Sequence, residues 1–220
     1  MLFAFLFIPA FGAAQSASPV WTSLPATIPI FPLPDVTLFP SSTQPFHIFE
    51  ARYRAMVADA LAGDGIIGMV TLQPGFEAEY EGRPPVYAVG CAGVIVSSEQ
   101  LPDGRYNIVL RALSKFRILS EDESRSYRLA DVEEVPETLA ESDRELLAQR
   151  RRQLEEAVLS AFPGAQLPPS DRSDEQLIDA LSLAVPLDPA ERQGLLEADG
   201  ALERAASLIR RLRGGSRSTI

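Results

Sequence analysis

The hydrophobic period of this chain changes once, near residue 137, and that change limits the architectures open to it. Between residues 28 and 136 the apolar side chains come in short runs or strict alternation, as strands require. Beyond Glu137 they recur every three or four residues, as helices require. A strand-rich half followed by a helical half is the α+β class. Residues 66–72 (IIGMVTL) form a continuous apolar run short enough for a buried strand, and residues 86–96 (VYAVGCAGVIV) form another. Gly90 and Gly93 mark a bend or bulge in the second. In Leu101-Pro-Asp-Gly104, proline fixes an early φ and glycine accepts a late positive one, so a turn is expected. From residue 105 to 112, Tyr106, Ile108, Leu110 and Ala112 alternate with Arg105, Asn107 and Arg111; Phe116 and Ile118 continue the habit, and residues 127–135 supply a last strand. Several short strands with curvature points predict a small bent sheet or pseudo-barrel.

One helix interrupts the strands. Residues 51–62 place Tyr53, Met56, Val57, Ala60 and Leu61 on one stripe, and Gly63 stops them. After residue 137, residues 142–161 predict a long helix. Ser173 with Gln176 forms a capping box ahead of Leu177, Ile178, Leu181 and Val185. Asp188-Pro-Ala-Glu191 repeats the device with proline at the first helical position. Leu202, Ala205, Ile209 and Leu212 line a final helix.

No charged side chain precedes Asp35. Residues 2–11 (LFAFLFIPAF) are too few to span a bilayer but suit the apolar region of a signal peptide, with Gly12 and Ala14 as small residues before a cut after Ala14. Two readings stand. Residues 1–14 act as a signal peptide and the protein is exported or periplasmic, or they pack on the domain and the protein is cytoplasmic. Residues 15–27, rich in Ser, Ala, Pro and Thr, read as a linker.

Composition removes much chemistry. Cys91 and His47 are the only cysteine and histidine, so clustered metal sites, CxxC redox pairs and internal disulfides lack their ligands. No metal and no cofactor is expected. The net charge of −10 argues against a nucleic-acid surface. Gly63-Asp-Gly-Ile-Ile-Gly68 matches G-x-G-x-x-G by letter, but a helix precedes it and a strand follows, the reverse of a dinucleotide site; a helix stop and turn is the better reading. Lys115, the only lysine, follows no glycine, which rules out a P-loop. In a strand Ser114 and Lys115 point to opposite faces and form no dyad. His47, between apolar neighbours, reads as a structural histidine bonded to backbone. The run Glu121-Asp122-Glu123 reads as a solvated loop, and Arg150, Arg151 and Arg152 point in different directions on a helix.

Residues 28–40 (IPIFPLPDVTLFP) and 45–56 (PFHIFEARYRAM) closely resemble the opening of the Lon protease N-terminal (substrate-binding) domain family. Ile67-Gly68, residues 87–93 (YAVGCAG), residues 101–108 (LPDGRYNI) with Arg117-Ile118, and residues 187–197 (LDPAERQGLLE) with Asp199 extend the resemblance over about 28–212. It implies an N-terminal PUA-like bent β pseudo-barrel with one helix over residues 28–137, a C-terminal helical bundle over 138–213 and a tail at 214–220. In full-length Lon proteases this module precedes an AAA+ ATPase and a Ser–Lys peptidase domain and helps to recognise unfolded substrates. The sequence stops at Ile220, short of both, so the expectation is a stand-alone, non-catalytic substrate-binding-domain protein. Its partners would be unfolded or partly folded polypeptides and a separate protease, in a quality-control adaptor role, with no nucleic acid and, once the signal is removed, no membrane.

The aromatic and Pro-rich segment nominates Phe31, Leu33, Phe39, Phe46 and Phe49 as polypeptide contacts on a concave apolar surface between sheet and helices. Core is nevertheless the first reading of Phe31, Leu33, Phe39 and Phe49, as of their neighbours Leu38 and Ile48. The alternatives are a degenerate peptidase-associated protein and a PUA-like module for RNA or a small ligand.

Overall fold

Strands fill the first half of the chain and helices the second, as the change of period predicts. The structure is a computed structural model that describes residues 23–76 and 82–215. The expected signal segment, the linker up to residue 22 and the tail beyond residue 215 lie outside the described residues. The elements are β1 (Thr27–Leu33), β2 (Thr43–Ile48), α1 (Ala51–Ala62), β3 (Ile66–Thr71), β4 (Val89–Gln100), β5 (Tyr106–Asp122), β6 (Arg128–Val135), a 3-10 turn (Glu141–Asp143), α2 (Arg144–Ala161), α3 (Asp174–Ala184), α4 (Pro189–Leu196) and α5 (Gly200–Gly215).

The strands bond in the order β2-β5-β4-β3-β1-β6, and β6 also returns onto the far half of β5. Only β1 and β3 run parallel; the other ladders are antiparallel. The fold is α+β, and its six strands form one curled, mixed sheet, the bent sheet expected, in which the β5–β6 ladder joins β5, β4, β3, β1 and β6 in a ring. The curl depends on β5. Its seventeen residues serve β2 and β4 with the first part and β6 with the last, leaving β2 outside as an edge. Register shifts at Ala92/Gly93, Ile95/Ser97 and Ile118/Ser120 supply the bends.

Alternation divides the sheet's side chains between two cores. Ile28, Ile30, Ile66, Val70, Ala92, Phe116, Ala130 and Val132 fill the inside of the curl. Gly68 and Gly90 clear space there for the Phe116 ring: an added Cβ would stand 2.7 Å from it at Gly68 and 2.6 Å at Gly90. Gly93 sits at a bulge, as expected, whereas Gly90 exists for this close approach. The opposite face, including Ile67, Met69, Val89, Cys91, Ile108 and Leu110, joins α1 and the four later helices in the larger core.

Local signals explain the helices. Both capping boxes form: the Gln176 N–H donates to Ser173 Oγ and the Glu191 N–H to Asp188 Oδ1, each reciprocated by the side chain. The 101–104 turn closes with the Gly104 N–H donating to the Leu101 carbonyl at 2.9 Å, Gly104 holding φ +83°. α1 buries Tyr53, Met56, Val57 and Ala60 as predicted, but Leu61 is exposed because it falls at the margin of the stripe. Gly63 caps α1 without a positive φ; that conformation belongs to Gly65, two residues on. The helix expected from Ser142 begins at Arg144 after the 3-10 turn, and Leu202 is only half-buried on α5.

A candidate polypeptide-binding edge

β2 bonds to β5 on one side only, so among the described residues its other side is an open sheet edge. The Ala112 N–H donates to the Ser42 carbonyl at 2.9 Å, and the register then runs without slip from Thr43↔Arg111 to Ile48↔Tyr106. On an antiparallel ladder this turns the backbone groups of Gln44, Phe46 and Ile48 toward β5, and those of Thr43, Pro45 and His47 outward. Proline therefore occupies a position where its missing N–H costs the ladder nothing, the usual place for proline in a sheet. Two N–H groups and three carbonyls remain along the outer edge.

A groove of about 260 Å³ opens at the start of this edge. Ser41, Ser42 and Thr43 form one wall; Arg172, Gln176, Ala180 and Leu183 form the other. The last three recur at helical spacing on one face of α3, and Arg172 lies just ahead of its cap. The other face of α3 buries Leu177, Ile178 and Leu181, which fixes the orientation. At the far end of β2, Phe49 is 62% exposed with its ring stacked against His47 at 6.3 Å. Six strand residues at about 3.3 Å each put roughly 20 Å between the groove and Phe49.

The five nominated side chains are not equivalent. Phe31 and Phe39 are buried in the larger core, Leu33 and Phe46 pack against it half-buried, and only Phe49 is exposed. Phe31 meets Phe46 edge-on at 6.1 Å and Tyr53 at 4.4 Å, so the aromatic row supports the base of β2. His47 is exposed rather than structural. Its Nδ1 bonds Asn107 Oδ1 at 2.7 Å and its Nε2 meets Arg105 Nη1 at 3.2 Å, while Asn107 Nδ2 donates to Glu99. It points to the solvent face because it follows Phe46 by one residue in a strand whose alternate side chains face the core.

A buried ionic cluster holds the groove's two walls together. Arg204 on α5 is fully buried and donates to Asp179 Oδ1 on α3 at 2.6 Å, to Glu137, and to the Leu195 carbonyl at 3.1 Å. Its guanidinium also lies 5.2 Å from the centre of the Phe39 ring. The other oxygen of Asp179 accepts the Ser41 N–H at 2.9 Å, so α3 grips the loop that leads into β2. Lys115 Nζ, also buried, pairs with Glu137 at 3.0 Å and donates to the Ala198 carbonyl at 2.7 Å. Two cations and two carboxylates thus compensate one another out of water, the arrangement buried charge demands. Burial pushes the Asp179 carboxyl above its ordinary range, against the pull of Arg204 and the Ser41 N–H. Burial likewise pushes up the Cys91 thiol, whose strand partner is Lys115. Ser114 and Lys115 form no dyad: Lys115 is committed to Glu137 and Ala198, and Ser114 Oγ donates to backbone.

Elsewhere, the acidic run expected as a solvated loop is partly drawn into structure. β5 extends to Asp122, and Glu121 takes both Nε and Nη2 of Arg128. Arg151 pairs with Glu155 and Asp174 while Arg150 meets Gln153, so the arginine triplet diverges as expected. Among the described residues no group of three or more His, Cys, Asp or Glu is placed to hold a metal ion. None of the described helices is long and apolar enough to cross a membrane.

Residues 27–214 match the family model of the ATP-dependent protease La (LON) substrate-binding domain. Lon protease 2 of Syntrophobacter fumaroxidans is 31% identical over 179 residues, 79% of this chain and 22% of that protein. Lon protease of Flavobacterium johnsoniae is 29% identical over 195 residues, 85% of this chain and 24% of that protein. The chain thus spans less than a quarter of the length of these two curated relatives. Among solved structures, the N-terminal domain of Mycobacterium avium complex Lon protease is 22% identical with a TM-score of 0.64, covering 88% of this chain and 100% of that one. A Lon N-terminal domain protein from Xanthomonas campestris is 21% identical with a TM-score of 0.59, covering 84% and 97%. These two share the fold.

Proposed function

The chain belongs to the ATP-dependent protease La (LON) substrate-binding domain family, and on that premise we propose that it grips extended segments of unfolded polypeptide without cutting them. The observation that carries this reading is the open edge of β2, with a groove at one end and an exposed phenylalanine at the other. Unfolded chains offer what such an edge takes: unpaired backbone groups for β-addition and apolar side chains for pockets. Pro45 withholds one donor, so the edge binds chains weakly and in turn rather than locking them into a permanent sheet. Covering Phe49 with an apolar client side chain contributes at most about 1.5–3 kcal/mol, and unfolded clients offer such side chains where native ones bury them. The curled sheet is read as the PUA-like part of the family fold, with α2–α5 as the bundle that bears the second wall of the groove.

In this reading the protein works as a quality-control adaptor that presents clients to a separate protease, and residues 1–14 direct it out of the cytoplasm. The test is titration of the purified chain against a reduced, carboxymethylated model protein and its native form, with gel analysis for fragments. Saturable binding of the unfolded form, weak binding of the native form and no fragments are expected. Equal binding of both forms, or cleavage, overturns the reading. The amino-terminal residue of the cell-derived protein decides the compartment: Gln15 is expected, and Met1 in a cytoplasmic fraction refutes export.

A further inference from the structure

We propose that the groove captures the free C-terminal carboxylate of a polypeptide, with the preceding residues added antiparallel to β2. This rests on the polypeptide-binding reading and gives the bound chain a direction. No carboxylate lines the groove, and each of its polar side chains carries a donor, Arg172 being donor only. Arg172 forms no ion pair among the described residues and sits at the groove wall. Gln176 uses its Oε1 to accept the Ser173 N–H, which leaves its amide hydrogens for the groove. Thr43 adds a hydroxyl and an outward N–H, while Ser42 Oγ is already committed to the Phe39 carbonyl. The nearby Asp174 is held by Arg151 at 3.0 Å, so it does not cancel the charge of Arg172.

An anionic chain end is the occupant that this charge fits. A carboxylate is planar and accepts from a guanidinium fork and adjacent amides together. Ala180 and Leu183 flank it with apolar surface for the terminal side chain. β2 runs from Thr43 toward Ile48, so a chain that ends at Thr43 and reaches back toward Phe49 is antiparallel to it. That is also the more stable pairing. The span of roughly 20 Å sets the recognised segment at about six or seven residues. Residues opposite Thr43, Pro45 and His47 donate their N–H groups to β2; the intervening residues do not.

The test uses fluorescein-labelled apolar heptapeptides and the full chain, read by anisotropy. Amidation of the C-terminus is expected to weaken binding about ten- to a hundredfold, the loss of a charge-assisted contact. Arg172→Ala weakens the free-acid peptide by the same factor and leaves the amide unchanged. N-methylation at the three alternating positions opposite Thr43, Pro45 and His47 abolishes binding, and N-methylation between them is tolerated. An amidated peptide with its last carboxylate on an Asp side chain binds like the plain amide; if it matches the free acid, the assignment to a chain terminus is overturned. Equal affinity of free acid and amide, or an Arg172→Ala loss common to both, also overturns it. In those cases saturable binding of the unfolded model protein still stands for the broader reading, which only the loss of that binding removes.

Discussion

Replacing Arg204 by methionine tests the joint between the sheet and the helices. The change keeps most of the side-chain volume but removes three hydrogen bonds, to Asp179, to Glu137 and to the Leu195 carbonyl, and the cation over the Phe39 ring. Glu137 retains Lys115. Asp179, 1% exposed, retains only the Ser41 N–H and becomes a buried carboxylate without a cation. Breaking one partner of such a pair costs about 3–5 kcal/mol. For a chain of this size that is a melting-temperature fall of about 6–20 °C. The deficit depends on pH with a definite sign. Without Arg204 the folded Asp179 carboxyl rises further above its unfolded value, so the folded variant takes up a proton before the unfolded chain does. The variant therefore recovers stability relative to wild type as pH falls from 7 toward 4, and loses it again as pH rises. Adding Asp179→Leu to Arg204→Met removes the stranded carboxylate and restores most of the loss, because an apolar replacement of a buried pair is often neutral. Urea unfolding at pH 7 and pH 5 measures all three proteins. A single variant within about 1 kcal/mol of wild type, or a double variant no better than the single, refutes the reasoning.

Gly90→Ala places a Cβ 2.5 Å from the Met69 carbonyl oxygen and 2.6 Å from Phe116, and overpacking of that kind lowers stability by about 1–3 kcal/mol or more; an unchanged urea midpoint refutes the close approach. Phe49→Ala leaves stability within about 0.5 kcal/mol, since the ring is exposed, yet weakens binding of unfolded protein; thermal melts and binding titrations must separate in this way. Cys91, buried with its thiol pushed upward, resists a disulfide reagent at pH 8 in the folded protein and reacts promptly in urea; rapid labelling without denaturant contradicts its placement. Ser173→Ala costs about 1 kcal/mol by removing half of the α3 capping box, read from the same melts.

What could be read from the sequence followed from how local each signal is. Capping boxes, the Leu101–Gly104 turn and the α1 stripe are decided within a few neighbouring residues, and they form as predicted. The ionic cluster is not local. Lys115, Glu137, Asp179 and Arg204 come from four separate stretches, and each reads alone as a surface charge. One sign was present: Arg204 lies three residues after Ala201 and four before Leu208, inside the stripe that α5 buries. Asp179 likewise sits between Ile178 and Leu181. Charges at core positions announce partners without naming them. The groove was missed because its walls, residues 41–43 and the α3 face, are far apart in sequence and polar in part. Of the nominated aromatic residues, Phe39 is buried in the loop before β2 and Phe49 is exposed one residue beyond it; neither sits within a strand, so no alternation in the sequence separates the two.

The long β5 has a consequence for biosynthesis. β2 finds its partner only when residues 106–111 exist, and Thr27 at the start of β1 bonds Asp131, 104 residues later. At translation speeds of about 5–20 residues per second, that interval lasts roughly 5–20 s. β1 can take up β3 once residues 68–71 exist, but until residues 106–111 and 128–131 follow, β2 and the β6 side of β1 keep their hydrogen-bonding groups unclaimed, with Ile28 and Ile30 in water. Overexpression in cells short of early-acting chaperones should therefore drive this polypeptide into inclusion bodies before its sheet can close.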